Sequence, residues 1–226
     1  MAYQWDFSPV VANAPLLAQG LVNTLKVTGV SLACGLSLGL ALALLRLSRH
    51  RLASWPAGFV IEVFRTTPPL VQLFWFFFAL PLIVGIEMTA FMAAIVTFSI
   101  QSAAFFAEVF RAGIVSIERG QWDGALAIGM SRRQALARIV LPQAVKRMIP
   151  AFLERAIELM KTTTLVATIS YADLLFEANE ISQKTFRPLE TFTVVALIYF
   201  VVIFGFSLLA RQFERRLAVS GESTVH

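Results

Sequence analysis

The chain has 226 residues, of which 58% are hydrophobic and only 15% are charged. Soluble domains hold about 45–50% apolar and 25% charged residues, so this composition excludes both a water-soluble domain and an intrinsically disordered chain. A disulfide scaffold is excluded as well, because Cys34 is the only cysteine. We therefore predict an all-α integral membrane protein of one domain, in which the positions of the basic residues matter more than the net charge of +5.

Four uncharged segments are long enough, or nearly so, to cross a bilayer, which takes about 20 helical residues. In chain order they are Val27–Leu45, Thr66–Ile86, Met88–Ala107 and Thr191–Ala210. A fifth segment, from about Gln143 to Ser170, has a helical pattern but carries charged residues, among them Glu154, Arg155, Glu158 and Lys161. The proline pair at 68 and 69 predicts that the second span starts earlier, near Trp55, and is kinked or interrupted there. Five transmembrane helices are therefore the best count.

Basic residues mark cytoplasmic loops, and twelve of the 19 Lys and Arg residues fall in three regions of this chain. The regions follow the first span, follow the third span and form the C-terminal tail, with Arg46, Arg49, Arg51, Arg119, Arg132, Arg133, Arg138, Lys146, Arg147, Arg211, Arg215 and Arg216. Residues 1–25 and 79–90 contain none. We therefore expect the N-terminus outside and the C-terminus in the cytoplasm, as five spans require.

These features predict three parts of the chain. An extracytoplasmic or interfacial segment covers residues 1–15, and the transmembrane domain covers residues 16–212. A cytoplasmic tail covers residues 213–226. Within the transmembrane domain, the most informative region is a long cytoplasmic loop between the third and fourth spans.

This loop, residues 117–142, has a regular pattern. The segment Gln121–Ile128 contains a single helix breaker, a glycine, and Gly129 can adopt the left-handed conformation that ends a helix. We therefore predict a first short helix that ends before Gly129. Ala125, Ile128 and Gly129 would leave a low-relief surface that another protein could approach closely.

A second short helix is predicted to follow directly. Ser131 and, three residues later, Gln134 form a capping box, which indicates a helix over Arg132–Val140. Leu141 precedes a proline, so we expect this helix to stop there. The loop would thus carry two short cytoplasmic helices joined at 129–131.

The loop resembles the EAA loop of permease subunits in ATP-binding-cassette importers, with its pattern Glu-Ala-Ala, three residues, Gly, nine residues, Ile, one residue, Leu-Pro. Here the spacing matches throughout, and Asp for Glu at 123 and Gly for Ala at 124 are the two departures. The resemblance implies that the loop couples the chain to an ATPase. The implied ATPase-coupling residues are Asp123, Gly124, Ala125, Gly129, Ser131, Arg132, Arg133, Ile139, Leu141 and Pro142.

Nearly the whole chain is similar to the polar amino acid branch of that family. The matching segments are Thr24–Thr28, Glu62–Leu70, Phe106–Ile114, Ile117–Gln121 and Lys161–Leu165. One departure is Thr162, where the family more often has aspartate. The resemblance implies an ATP-driven importer of polar amino acids in the bacterial cytoplasmic (inner) membrane, in which this chain forms half of the translocation pathway.

The resemblance also implies the partners of the chain. They are two copies of a cytosolic ATP-binding subunit, a second permease subunit (a homodimer or a sister heterodimer), an extracytoplasmic amino-acid-binding protein and the lipid bilayer. The chain itself would be non-catalytic and hold no cofactor, with ATP and Mg bound by the partner ATPase. The sequence agrees, because it has no glycine-rich loop that ends in Gly-Lys-Ser/Thr. A role with nucleic acid is not expected, since the basic residues follow the cytoplasmic loops.

Charged residues inside the membrane are candidates for the substrate pathway, because each costs about 2.5–3.5 kcal/mol at the bilayer centre unless it faces a cavity or a partner. Glu154, Glu158 and Lys161 are spaced to share one helical face, and Glu158 and Lys161 can pair. This polar stripe either lines the pathway or holds helices together. Similarly, Glu108 and Arg111 are expected to pair with each other or with charges at 118 and 119.

Three further pathway candidates are polar residues near or within the spans. Arg65 directly precedes the proline break, which could serve as a gate or only as a bend. Gln72 and Gln101 lie within spans, where they could line a cavity or hydrogen-bond between helices.

Two other function classes remain as alternatives. An ion-driven secondary transporter subunit would be expected to show internal repeats and more spans. A membrane enzyme could use Glu154 and Glu158, but the sequence lacks a nucleophile with a matching base. The sequence does not indicate which amino acid is carried.

Overall fold

The computed structural model describes residues 3–48 and 50–218, with side chains up to residue 212, and every regular element in these residues is helical. We number nine helices in chain order. Their bounds are α1 Ser8–Ala12, α2 Ala14–Arg46, α3 Arg51–Thr66, α4 Pro69–Val84, α5 Ala90–Val115, α6 Arg119–Ala127, α7 132–162, α8 Leu174–Thr185 and α9 Pro188–Ala218. A 3₁₀ segment, Thr163–Ile169, follows α7. The predicted all-α fold is confirmed, whereas Arg49 and residues 219–226 of the expected tail lie outside the described residues.

The long apolar helices agree with four of the five predicted spans. Within the described residues, α2, α5 and α9 are each long and apolar enough to cross a membrane. The pair α3 and α4 together makes a fourth candidate, bent by 107° at its break. The remaining predicted span, from about Gln143 to Ser170, corresponds to α7, which is of suitable length but is more polar because of its charged residues. Its crossing of the membrane stays a proposal.

The break between α3 and α4 occurs at the predicted proline pair. Thr67 is extended, and Pro69 starts the next helix, so the chain turns between them. The side-chain amide of Gln72 donates to the carbonyl oxygens of Phe64 (3.0 Å) and Thr67 (2.8 Å). It thereby satisfies backbone acceptors that the lost helical turn would leave unpaired. The helix before the break begins at Arg51, slightly earlier than the predicted start near Trp55.

The prediction that the second loop helix stops at Leu141 is wrong, because α7 runs without a break from residue 132 to residue 162. The helix is α-helical over Arg132–Ala135, widens into a π turn over Leu136–Val140 and is α-helical again from Leu141. A proline inside a helix removes one hydrogen bond and crowds the carbonyl four residues earlier. The wide π turn directly before Pro142 gives its ring this space.

Close packing of α2 against α5 forms the centre of the fold. A Cβ atom built at Gly35 would lie 2.6 Å from Cβ of Ser102, and one at Gly39 would lie 2.7 Å from Cβ of Phe106. The two helices can approach this closely only because these positions carry no side chain. Gly29 is different, since nothing lies within 4 Å of such an atom. It lines a groove of about 270 Å³ between α2, α7 and α9.

The N-terminal segment is fixed to the start of α9 by a buried glutamate. Glu190 accepts hydrogen bonds from the hydroxyl of Tyr3 (2.6 Å) and the backbone N–H of Asp6 (3.1 Å). Arg187 pairs with the same carboxylate and donates to the carbonyl oxygen of Gln4. Residues 3–6 are thus held to the corner between α8 and α9.

The α2–α5 seam leads to a prediction about stability. Replacing Gly39 by Leu should lower the thermal stability of the purified protein, because the new side chain must displace Phe106 or the backbone at Ala103. Overpacking of this kind typically costs about 1–3 kcal/mol. Melting followed by size-exclusion chromatography in detergent measures the effect. Gly29→Leu is the matched control, and equal melting of the two variants would contradict the role given to the seam.

Candidate functional site

The 117–142 loop has the turn and cap that the sequence predicts. Helix α6 ends at Ala127, and Gly129 is left-handed with φ +83°. Ser131 then caps α7, since its hydroxyl oxygen accepts from the N–H of Gln134 (3.3 Å). In return, the side chain of Gln134 accepts from the N–H of Ser131 (2.8 Å). This reciprocal pair fixes the angle at which α7 leaves the loop.

The tip of the loop exposes an apolar residue beside positive charge. Ile128 is 73% exposed, and no atom of the described residues lies within 4 Å of a Cβ built at Gly129. Asp123, Gly124, Ser131, Arg132 and Arg133 are exposed as well. Ala125 corrects the sequence interpretation: it is only 5% exposed, because it faces the interior of the loop and not a partner. Of the three residues expected to form the low-relief surface, only Ile128 and Gly129 are accessible.

The loop is attached firmly to α5 and α7. A buried cluster of Ile117, Val140, Ala144 and Met148 joins the segment after α5 to α7, and Trp122 of α6 packs on it. Arg147 adds a hydrogen bond to the carbonyl oxygen of Ser116 (2.6 Å). Among the other implied coupling residues, Leu141 and Pro142 are exposed and Ile139 is half-buried. The loop is therefore joined to both helices by apolar packing and a hydrogen bond.

The polar stripe of Glu154, Glu158 and Lys161 is exposed along one face of α7. The predicted ion pair of Glu158 with Lys161 is absent from the described residues. Glu158 instead contacts Arg155, with 2.7 Å between Nη1 and Oε2. Both pairings have i,i+3 spacing, but the Arg155 side chain lies buried beside the glutamate while Lys161 points outward.

Arg155 is a central residue of the site that the sequence interpretation missed. Its guanidinium lies 3.6 Å from the ring centroid of Phe105, and that of Arg65 lies 5.5 Å from the same ring. Arg155 is buried, and its Nε has no hydrogen-bond partner among the described residues. We name Arg65, Phe105, Arg155 and Glu158 the Phe105 cluster. Its only signal in the sequence is the i,i+3 spacing of Arg155 and Glu158.

A cleft of about 410 Å³ adjoins this cluster. Arg65, Phe105, Glu108 and Arg147 line it, so it lies between the end of α3, α5 and the part of α7 near residue 147. Glu108 is paired with Arg111, as expected from their spacing, with 2.9 Å between Arg111 Nε and Oε2. The lining is thus mixed in charge, with the two arginines of the cleft at 65 and 147 not ion-paired within the described residues.

The two glutamine candidates are buried, unlike the exposed residues of the polar stripe. Gln72 is buried and serves the proline break, as described above. Gln101 is buried inside α5, and its Oε1 has no partner in the described part of the chain. No cluster of three or more His, Cys, Asp or Glu that could hold a metal occurs among the described residues.

Comparison with known proteins identifies the fold and the family. Residues 35–219 match the family described as binding-protein-dependent transport system inner membrane component. The arginine transport system permease protein ArtQ of Bacillus subtilis (strain 168) is 36% identical over 212 residues, which is 94% of this chain and 97% of that protein. The glutamate/aspartate import permease protein GltK of Escherichia coli O6:H1 is 36% identical over 223 residues, with 96% and 100% covered.

Solved structures agree with this result. A crystal structure of an amino acid ABC transporter with histidines contains a chain that is 36% identical, with a TM-score of 0.91 and coverage of 95% of this chain and 100% of that one. An inward-facing MetNI methionine ABC transporter, 19% identical, has a TM-score of 0.77 and shares the fold. The chain therefore belongs to the binding-protein-dependent transport system inner membrane components, as the resemblance of its loop implies.

The Arg155–Glu158 contact leads to a prediction. Glu158→Gln should lower thermal stability by about 1 kcal/mol, because it removes the counter-charge of a buried guanidinium, while the 62% exposure of Glu158 limits the loss. Lys161→Gln, which removes a charge one turn away, should leave stability unchanged. Parallel melting curves of the assembled protein test this. A larger loss of thermal stability in the Lys161 variant would show that Lys161, and not Arg155, is the ion-pair partner of Glu158.

Proposed function

We propose that the chain is the permease subunit of an ATP-driven importer of polar amino acids. The 117–142 loop couples it to a cytosolic ATPase, and the chain forms half of the translocation pathway, with α7 lining it. The proposal is supported by family membership and by relatives whose names specify arginine, glutamate/aspartate and glutamine transport. The observation that carries it is the unbroken helix α7, which joins the capped loop tip to the buried Arg155 and the polar stripe.

The loop tip is the proposed contact with the ATPase. Ile128 supplies an exposed apolar side chain that binding to the ATPase would remove from water. Arg132 and Arg133 would suit acidic residues around the groove of the ATPase that receives the loop tip. Gly129 allows the partner to approach the backbone. Because Ser131 fixes the start of α7 and the Ile117–Met148 cluster joins the loop to α5, displacement of the tip would move both helices together.

The polar stripe is the proposed boundary of the pathway. In an isolated chain the stripe is exposed, and three charges facing lipid would each cost about 2.5–3.5 kcal/mol at the bilayer centre. A second permease subunit opposite this face, with a hydrated path between, removes that cost. The carboxylates at 154 and 158 would then bind the ammonium group of the amino acid. The ammonium at 161 and the exposed Arg65 would bind its carboxylate group.

The arrangement in the membrane follows from this proposal. Five spans, α2, α3 with α4, α5, α7 and α9, place the N-terminus outside and the basic loop and tail inside a bacterial cytoplasmic membrane. Two ATPase copies bind ATP and Mg, and an extracytoplasmic binding protein delivers the amino acid. This chain contributes positioning and motion but no catalysis.

Coupling can be tested at the loop turn. Gly129→Asp should reduce ATP-driven uptake at least tenfold in a reconstituted importer, because the new side chain and a strained backbone disturb the proposed ATPase contact. Gly85→Asp is a matched control, since Gly85 is also left-handed and open but lies at the other end of the spans. Uptake into proteoliposomes and ATP hydrolysis are measured side by side. Normal uptake by the Gly129 variant would refute the coupling role.

The pathway can be tested at the stripe. Glu154→Gln should change the relative uptake of cationic, neutral and anionic amino acids several-fold while assembly is retained, because it removes one charge that faces the path. Competition of a panel of amino acids with one labelled substrate measures this change. Glu177→Gln, on α8 outside the stripe, is the control. An unchanged preference would leave the stripe with a packing role only.

A further inference from the structure

A buried carboxyl group lies where α8 docks on the spans, away from the loop and the stripe. Asp173 caps α8: its Oδ1 accepts from the N–H of Phe176 at 2.8 Å. The residue has 0% exposure, and its Oδ2 has no hydrogen-bond partner among the described residues. An N-cap needs only one of the two oxygens, so the cap leaves the second oxygen unexplained.

The backbone around Asp173 is held tightly to α2. Asn23 donates to the carbonyl oxygen of Ala172 (2.8 Å), and the hydroxyl of Thr24 accepts from the N–H of Leu174 (3.2 Å). A Cβ atom at Gly20 would lie 2.8 Å from the carbonyl oxygen of Asp173. The carboxyl is therefore enclosed by the same contacts that dock α8, and it can reach water only if these contacts open.

No positive charge in the described residues compensates this carboxylate. From α2 the facing groups are Asn23 and Thr24, which do not titrate. From α9 the facing group is the hydroxyl of Tyr199, which is buried with no partner at hydrogen-bond distance among the described residues, and the Tyr199 side chain packs against the cluster that contains Leu174. On its own segment, Tyr171 precedes it and Glu177 follows one turn later, and Glu177 adds like charge.

We propose that Asp173 is a protonated positioning residue: it holds α8 against α2 and α9 as a neutral acid, and loss of its proton releases α8. A carboxylate in such surroundings is much more costly than the neutral acid. Burial raises the pKa of the Asp173 carboxyl from its usual 3.8 to about 7, which agrees with this geometry. Ala178 and Ile181 on the buried face of α8 supply the apolar contacts that the docked state keeps.

The direction of the pH effect follows from linkage. The docked carboxyl keeps a proton that the solvated carboxyl of an undocked α8 releases near pH 4. Raising the pH between about 4 and 7 therefore favours undocking, by at most about tenfold per unit, and above pH 7 the effect levels off because both states are ionised. If α8 is extracytoplasmic, as the orientation proposed above requires, this device responds to external pH.

Hydrogen exchange of the assembled importer in lipid nanodiscs tests the proposal. The amides of residues 177–183, corrected for the intrinsic pH dependence of exchange, should exchange about tenfold faster at pH 6.5 than at pH 5.5 and change little above pH 7.5. Amides of α5 in the same sample serve as the internal reference. A flat profile for α8 in the unaltered protein would overturn the proposal, whatever the variants do.

Two matched variants separate ionisation from packing. Asp173→Asn keeps an oxygen for the N–H of Phe176 but cannot ionise, so α8 should stay as protected at pH 7.5 as the unaltered protein is at pH 5.5. Glu177→Gln removes a carboxylate from the same helix and should keep the pH dependence. The same pH dependence in Asp173→Asn as in the unaltered protein would refute the role of Asp173. This measurement needs no transport, so its result is independent of the proposed import function.

Discussion

The unbroken course of α7 through Pro142 is the constraint on which the rest of the structure depends. The π turn over Leu136–Val140 accommodates the proline, so the capped residue Ser131 and the buried Arg155 lie on one helix. With a rise of 1.5 Å per residue, about 35 Å separate them. Had the helix ended at the proline, the loop could move without the polar stripe. Because α7 is continuous, a displacement of its start at residue 132 would also move the part that carries Arg155.

The second constraint is electrostatic and concerns Arg155. Its buried guanidinium is stabilised on one side by the ring of Phe105 and on the other by Glu158, while Arg65 brings like charge to the same ring. A cation over an aromatic ring contributes about 0.5–2 kcal/mol, which is less than the cost of burying an uncompensated charge. The buried charge of Arg155 therefore needs both Phe105 and Glu158 to offset the cost of its burial. Any motion of α7 that changes the distance to Phe105 changes how exposed this charge becomes.

The sequence was sufficient to predict the helical membrane fold, the proline break, the capping box, the left-handed Gly129 and membership in the family. These follow from local rules of backbone geometry or from a motif of fixed spacing. The course of α7 through Pro142 could not be predicted, because a π turn has no reliable signal in one sequence. The choice of Arg155 over Lys161 as the partner of Glu158 depends on Phe105, which is 50 positions away in the chain.

The packing of the spans distinguishes a rigid part from a part with room to move. Helices α2 and α5 meet at Gly35 and Gly39 with no space for a methyl group, and α5 carries Phe105. Beside α7, by contrast, the groove at Gly29 leaves a volume of about 270 Å³. Helix α7 can therefore shift towards α2 with fewer side chains displaced than a separation of α2 from α5 would require. A shift of this kind would move Arg155 relative to Phe105, which α5 holds in place. Movement of the loop tip would in this way change the surroundings of a charged residue beside the proposed pathway.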